Sequence, residues 1–159
     1  MLAGPAMMSP NDDCNVALVG KGRVIDDLGG GTLCLLCNSP DLPNILDGDL
    51  TNYTEFDATV SILSATPIVS VRDIAQSWPA GRRVGYVVEP EGGLLDLSIL
   101  ESFQLRTYLG GVLQEIAVGG IDIDVELLSG DGRQQRISFV TTEPFDEVEL
   151  VAEIGRAHV

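Results

Sequence analysis

The sequence predicts an all-β domain, a two-sheet antiparallel β-sandwich or jelly roll. From residue 53 onward, short runs rich in Val, Ile, Leu, Thr and Tyr recur. Gly, Pro and Asp/Asn turn signals separate them at roughly ten-residue spacing, an all-β rhythm. Several runs also alternate apolar and polar residues, the period of two that half-buried antiparallel strands need. About ten such strands in one domain require two sheets, because a single sheet leaves one apolar face in water.

The expected strands, in order, are 15–20 "NVALVG", 32–37 "TLCLLC", 54–63 "TEFDATVSIL", 67–74 "PIVSVRDI", 83–89 "RVGYVVE", 102–109 "SFQLRTYL", 112–118 "VLQEIAV", 121–128 "IDIDVELL", 135–142 "QRISFVTT" and 145–151 "FDEVELV". In "IDIDVEL" the pattern places Ile121, Ile123, Val125 and Leu127 on a buried face and Asp122, Asp124 and Glu126 on the other. Gly110-Gly111 and Ser129-Gly-Asp-Gly132 supply the positive φ of hairpin turns. The segment 92–103, "GGLLDLSILESF", fits neither period and suits a short helical turn. Residues 1–14 are expected to be disordered or poorly ordered, and 15–152 to form the domain.

The chain of 159 residues carries 9 Lys plus Arg against 24 Asp plus Glu, a net charge of -15. Such a chain repels phosphate backbones and has no basic stripe, so nucleic acid is excluded as an expected partner. Its 45% hydrophobic content supports a folded core despite that charge. No apolar run reaches the ~18 to 20 residues of a membrane helix, and membrane insertion is not expected. The start, "MLAGPAMMSPNDDCN", lacks the basic and apolar regions of a signal peptide.

The last seven residues, 153–159 "EIGRAHV", resemble translated sequencing-library adapter: Ile154 to Val159 can be read codon by codon from it, with Glu153 at the junction. They are taken as an artefact tail on a C-terminally truncated domain, and a further strand is expected beyond residue 152. The only histidine, His158, lies in that tail. Without it, Ser-His-Asp, Cys-His and imidazole-zinc chemistry are excluded and only carboxylate catalysis is left. No carboxylate pair stands out by spacing, so the chain is read as no enzyme.

Cys14, Cys34 and Cys37 are too few for a four-thiolate zinc site. One disulfide anchoring the N-terminal segment in an oxidising compartment and buried free thiols are the two structural readings. In "NILDGDLTNYTEFD", Asp47, Asp49 and Thr51 stand at alternate positions, where their oxygens can converge on a hard cation such as Ca2+. The same residues also suit an Asx-type turn leading into a strand. Trp78, the one tryptophan, sits before a Pro-Ala-Gly turn with Arg82 and Arg83 close by. Such a group can stack a sugar ring and bond its hydroxyls, or the indole can plug one end of the core.

"NILDGDLTNYTEF" resembles the "A-x-D-G-D-x-x-T-x-W" stretch of discoidin-like, coagulation-factor type C and related carbohydrate-binding domains, which are galactose-binding-like jelly rolls. Asp47, Gly48 and Asp49 match in order, Thr51 stands one place early and Tyr53 occupies the aromatic position. The resemblance implies a structural Ca2+ in this loop. "PAGRRVGYVVE", "GGLLDLSILESFQLRTYLGGVLQE" and "RISFVTTEPFDEVELV" are similar to a domain of large secreted bacterial surface proteins, found beside immunoglobulin-like modules. That similarity spans roughly residues 30–152 and implies an extracellular or cell-surface module of an adhesin-like protein, with neighbouring domains and a glycan or cell-surface protein as partner. A purely structural spacer is the competing expectation, and a carboxylate-dependent glycosidase fragment the third.

Overall fold

Alternating segments become strands where a neighbouring strand satisfies their backbone groups and a core covers one face. The computed structural model describes residues 2–9, 16–27, 42–49, 52, 54–55, 68–89, 97–128 and 134–152. The strands are β1 Leu2–Ser9, β2 Val16–Ala17, β3 Arg23–Asp27, β4 Thr54–Glu55, β5 Ile68–Asp73, β6 Arg83–Glu89, β7 Phe103–Leu109, β8 Val112–Val118, β9 Asp124–Leu127, β10 Gln135–Val140 and β11 Glu147–Ala152. A 3-10 turn covers Leu42–Ile45 and a one-turn helix, α1, covers Leu97–Leu100.

Two antiparallel sheets result. One runs β2-β1-β6-β10-β9, with β4 also paired to β1, and the other runs β3-β5-β11-β7-β8. Their inner faces form one core: Val84, Tyr86 and Val88 of β6 and Ile137 and Phe139 of β10 meet Val69 and Val71 of β5, Phe103 and Leu105 of β7, and Val148 and Leu150 of β11. Full burial of such side chains stabilises by roughly 1.5–3 kcal/mol each, which is what holds the sheets together. The chain is therefore the all-β sandwich that the alternation predicts.

The β7–β8 hairpin closes on Gly110 (φ 58) and Gly111 (φ 81), with Leu109 opposite Val112. Two consecutive positive φ values make the tight turn whose twist matches that of the strands. At the far end of the hairpin a Cβ on Gly119 would lie 1.7 Å from the carbonyl oxygen of Leu100, so only glycine lets the chain pass beneath α1.

The strand β1 lies within residues 1–14, a segment in which no strand was expected. It pairs with β6 from Leu2↔Glu89 to Ser9↔Arg83, with a register shift between Ala3 and Ala6. Gly4 and Pro5 fall at that irregularity, where a residue without an N–H does least harm to a ladder. The strand β3 is likewise unanticipated, because five residues are too short to show a period. The strand β9 starts later than expected, since Ile121 and Asp122 donate their N–H groups to the Val118 carbonyl at 3.3 and 2.8 Å and so form a turn. Its apolar face is also only partly buried: Ile123 is 7% exposed, but Ile121 is 83% and Leu127 56% exposed. As an edge strand paired only with β10, β9 leaves much of this face in water. The expected strand 32–37 and most of 54–63 lie outside the described residues.

Candidate functional site

The loop after Leu42–Ile45 is anchored by Ile45, which is buried, and by Gly20 N–H donating to the Leu46 carbonyl at 3.0 Å. Asp47 then closes it locally. Its Oδ1 accepts the Asp49 N–H at 2.8 Å and its Oδ2 accepts Asn52 Nδ2 at 2.7 Å. Gly48 sits between the two aspartates at φ 79, as this tight turn requires. Asp47 and Asp49 are both exposed, and Thr51 lies outside the described residues. This geometry is an Asx turn in which the carboxylate is bonded to donors of its own loop. Among the described residues no group of three or more His, Cys, Asp or Glu is arranged to hold a metal ion. Cys14, Cys34 and Cys37 fall outside the described residues.

Trp78 is half-buried against the core, and its backbone bridges Phe145. Its Nε1 donates to Asp73 Oδ2 at 3.1 Å. Asp73, at the end of β5 and 2% exposed, also pairs with Arg23 at 3.2 Å and accepts the Ala75 N–H at 3.0 Å. One buried carboxylate thus ties together β3, the turn after β5 and the only indole. Arg82 and Arg83 lie beside Trp78 in sequence but diverge in space. Arg82 exchanges backbone bonds with Thr141, at 2.8 Å to its N–H and 3.2 Å to its Oγ1. Arg83 reaches along the outer face of its sheet to Asp124 at 2.7 Å and Ser138 at 3.2 Å. Arg136 of β10 pairs with Glu126, so β9 is held by one ion pair to β6 and one to β10.

The densest polar arrangement is on the outer face of the other sheet, at residues that the sequence reading did not single out. The central strand β11 presents Glu147 and Glu149 there, both buried. Register sets Glu149 between Ser70 of β5 and Arg106 of β7, and Glu147 between Arg72 and Tyr108. The Ser70 hydroxyl donates to Glu147. Tyr108 Oη donates to Glu149 Oε1 at 3.1 Å, and Arg106 Nη1 approaches the same oxygen at 3.5 Å. The Arg106 guanidinium is braced from the other side by Gln104 Oε1, at 2.8 and 3.1 Å. Burial, and then the Glu149 charge and hydrogen bond, raise the Tyr108 phenol pKa above its usual value. Directly opposite this row on β8 stand Ile116, facing Arg106, and Leu113, facing Tyr108, both exposed. Alternation in "FQLRTYL" and "FDEVELV" was a signal that these polar side chains share a face, but not that the two strands are neighbours.

Together these features define a two-sheet antiparallel β-sandwich with a braced Arg-Tyr-Glu row on one outer face. No family model, curated protein or solved structure matches the chain. Among the described residues no helix is long and apolar enough to cross a membrane.

Proposed function

We propose that this chain is a non-enzymatic β-sandwich module of a larger adhesin-like surface protein, acting outside the cell or at its surface. In this reading it binds a glycan or a protein partner through the outer face of the five-stranded sheet. The observation that carries the reading is the Arg106-Tyr108 row, held by Gln104 and Glu149 beside exposed Ile116 and Leu113. Arginine and tyrosine beside exposed aliphatics are the groups that dominate protein interfaces, and a fixed phenol also suits a sugar ring. Bracing lowers the entropy lost when a partner docks.

The test is to screen glycans and surface glycoproteins with the wild type and with Tyr108→Ala and Arg106→Ala. Saturable binding lost in both variants, with unchanged circular dichroism, supports the face. Binding that ignores both variants sinks it.

A spacer without a ligand is the second reading, favoured by the internal commitments of Trp78 and Arg83. Saturable binding of any kind in the same screen counts against it. A structural Ca2+ at the Asp47 loop is an added part of this proposal and rests on the carboxylate chemistry of Asp47 and Asp49, while the internal bonds at Asp47 support a turn that closes without an ion.

A further inference from the structure

A sheet edge exposes unpaired backbone N–H and C=O groups, and folded chains blunt such edges with short strands or charged residues. Three of the four edges here are blunted in that way. On the first sheet one edge is made of β2 and β4, two residues each, and the other is β9, four residues that include Asp124 and Glu126. On the second sheet β3 has five residues and carries Arg23, Asp26 and Asp27. The fourth edge, β8, differs: it has seven residues, and Glu115 is its only charge. That charge is drawn away, because both Glu115 oxygens accept hydrogen bonds from Thr142 and Glu143 in the loop after β10. Val112, Leu113 and Ile116 stand exposed, and among the described residues no strand pairs with the outer side of β8.

The open stretch has limits. At one end the Val118 N–H donates to Asp122 Oδ2 at 3.0 Å, and the Val118 carbonyl accepts the N–H groups of Ile121 and Asp122. Toward the other, Leu113 opposes Tyr108 and Glu115 opposes Thr107, so Gln114 is an extra residue, and its Nε2 donates to the Val112 carbonyl at 3.0 Å. The bulge adds twist at Gln114 and leaves Leu113 to Ala117 as the edge on offer. Its surroundings are acidic: Asp122 and Glu101 lie near the Val118 end, Glu143 lies beside Glu115, and all three are exposed. Arg106, opposite Ile116, is already paired with Glu149. A second copy would bring the same carboxylates and another net charge of -15 to the seam, whereas a basic strand is drawn to it.

We propose that the outer edge of β8 receives an extended basic strand of another protein, one that alternates aliphatic residues with Lys or Arg. That strand lengthens the second sheet by one: its backbone bonds to Leu113–Ala117, its aliphatic side chains pack on Leu113 and Ile116, and its cations face the carboxylates at the two ends. The proposal rests on the binding reading above and adds the edge beside the Arg106-Tyr108 face as the place where a protein partner pairs.

The probe is a capped peptide of about six residues that alternates Val with Lys, titrated into the isotope-labelled full chain and followed by NMR. The expected result is saturable amide shifts confined to β7, β8 and their turns, nuclear Overhauser contacts between the peptide backbone and β8, and a Kd that rises with salt. Methylating alternate backbone nitrogens of the peptide removes ladder donors but no charge, and should raise Kd about tenfold or more. Ile116→Lys should do the same, while Tyr108→Ala, which tests the outer face, should leave Kd within about threefold. The proposal is overturned if the peptide shifts nothing, if the methylated peptide binds as tightly, or if Ile116→Lys binds as the wild type does. Self-association that strengthens with salt and blocks the peptide also overturns it, and gives the edge to a second copy. A face that fails the glycan and glycoprotein screen while the peptide still pairs with β8 sinks the face alone. A peptide released by Tyr108→Ala but not by Ile116→Lys sinks the edge alone.

Discussion

The Tyr86 hydroxyl donates to the Val148 carbonyl at 2.8 Å, so a side chain of one sheet is bonded to the backbone of the central strand of the other. The phenol is fully buried, and burial first, then the charges of Glu149 and Glu147, hold its pKa well above the usual tyrosine value. Two consequences follow for stability. Tyr86→Phe should cost about 0.5–1.5 kcal/mol at neutral pH, read as a lower urea midpoint with unchanged slope.

Alkaline pH should act through the same group. A folded pKa raised above the unfolded value of about 10 means that the native state holds its proton longer. The contribution is complete below pH about 10 and is lost as pH rises toward the folded value. Urea midpoints measured from pH 8 to 12 should fall above about 10, and more shallowly in Tyr86→Phe. The slope that persists in the variant belongs partly to Tyr108, whose pKa is raised in the same direction.

Asp73 bonds Arg23, Trp78 and the Ala75 N–H, so removing it strands a partly buried guanidinium and an indole N–H at once. Asp73→Ala should cost about 2–4 kcal/mol. Trp78, the single tryptophan, reports the change directly: its emission should shift to the red in the folded variant. An unshifted spectrum at wild-type stability would remove Asp73 from the account of how this end is held.

The hairpin turn separates backbone from packing, because a Cβ on Gly110 or Gly111 meets nothing within 4 Å. Gly111→Ala should therefore cost about 1–2 kcal/mol through the left-handed backbone alone, and Gly111→Asn less. Gly119→Ala is the opposite case. It drives a methyl into the Leu100 carbonyl and should cost over about 3 kcal/mol or prevent folding. Equal losses at the two positions would contradict both arguments.

The edge strand β8 exposes Val112, Leu113 and Ile116. Exposed apolar edge strands invite pairing with another chain. Ile116→Lys should shift light scattering at high concentration toward the monomer and leave Tm within about 1 °C of the wild type.

Strands whose alternation runs over six or more residues were legible from those residues alone. The runs that became β5, β6, β7, β8, β10 and β11 alternate because each has one face in the core and one outside it. Where burial is set by what lies opposite, the pattern misled: Val125 and Leu127 have the alternation of a buried face and sit exposed on β9. The turn at Asp47 was legible because its bonds span only two and five residues. The Arg106-Tyr108-Glu149 row was not, since Tyr108 and Glu149 are 41 residues apart and meet only through strand order. Trp78 shows the same limit, because two adjacent arginines gave no hint that its indole bonds a carboxylate five residues before it.

The place of β11 also governs when this chain can fold. It is the last described strand, yet it lies in the middle of its sheet, with β3 and β5 on one side and β7 and β8 on the other. Until Glu147–Ala152 has been synthesised, those two pairs have no shared ladder, and the core residues Val148 and Leu150 are missing from between them. A ribosome-bound chain ending before Glu147 can form hairpins but not this sheet, so this sheet waits for β11 and then joins distant segments in one step.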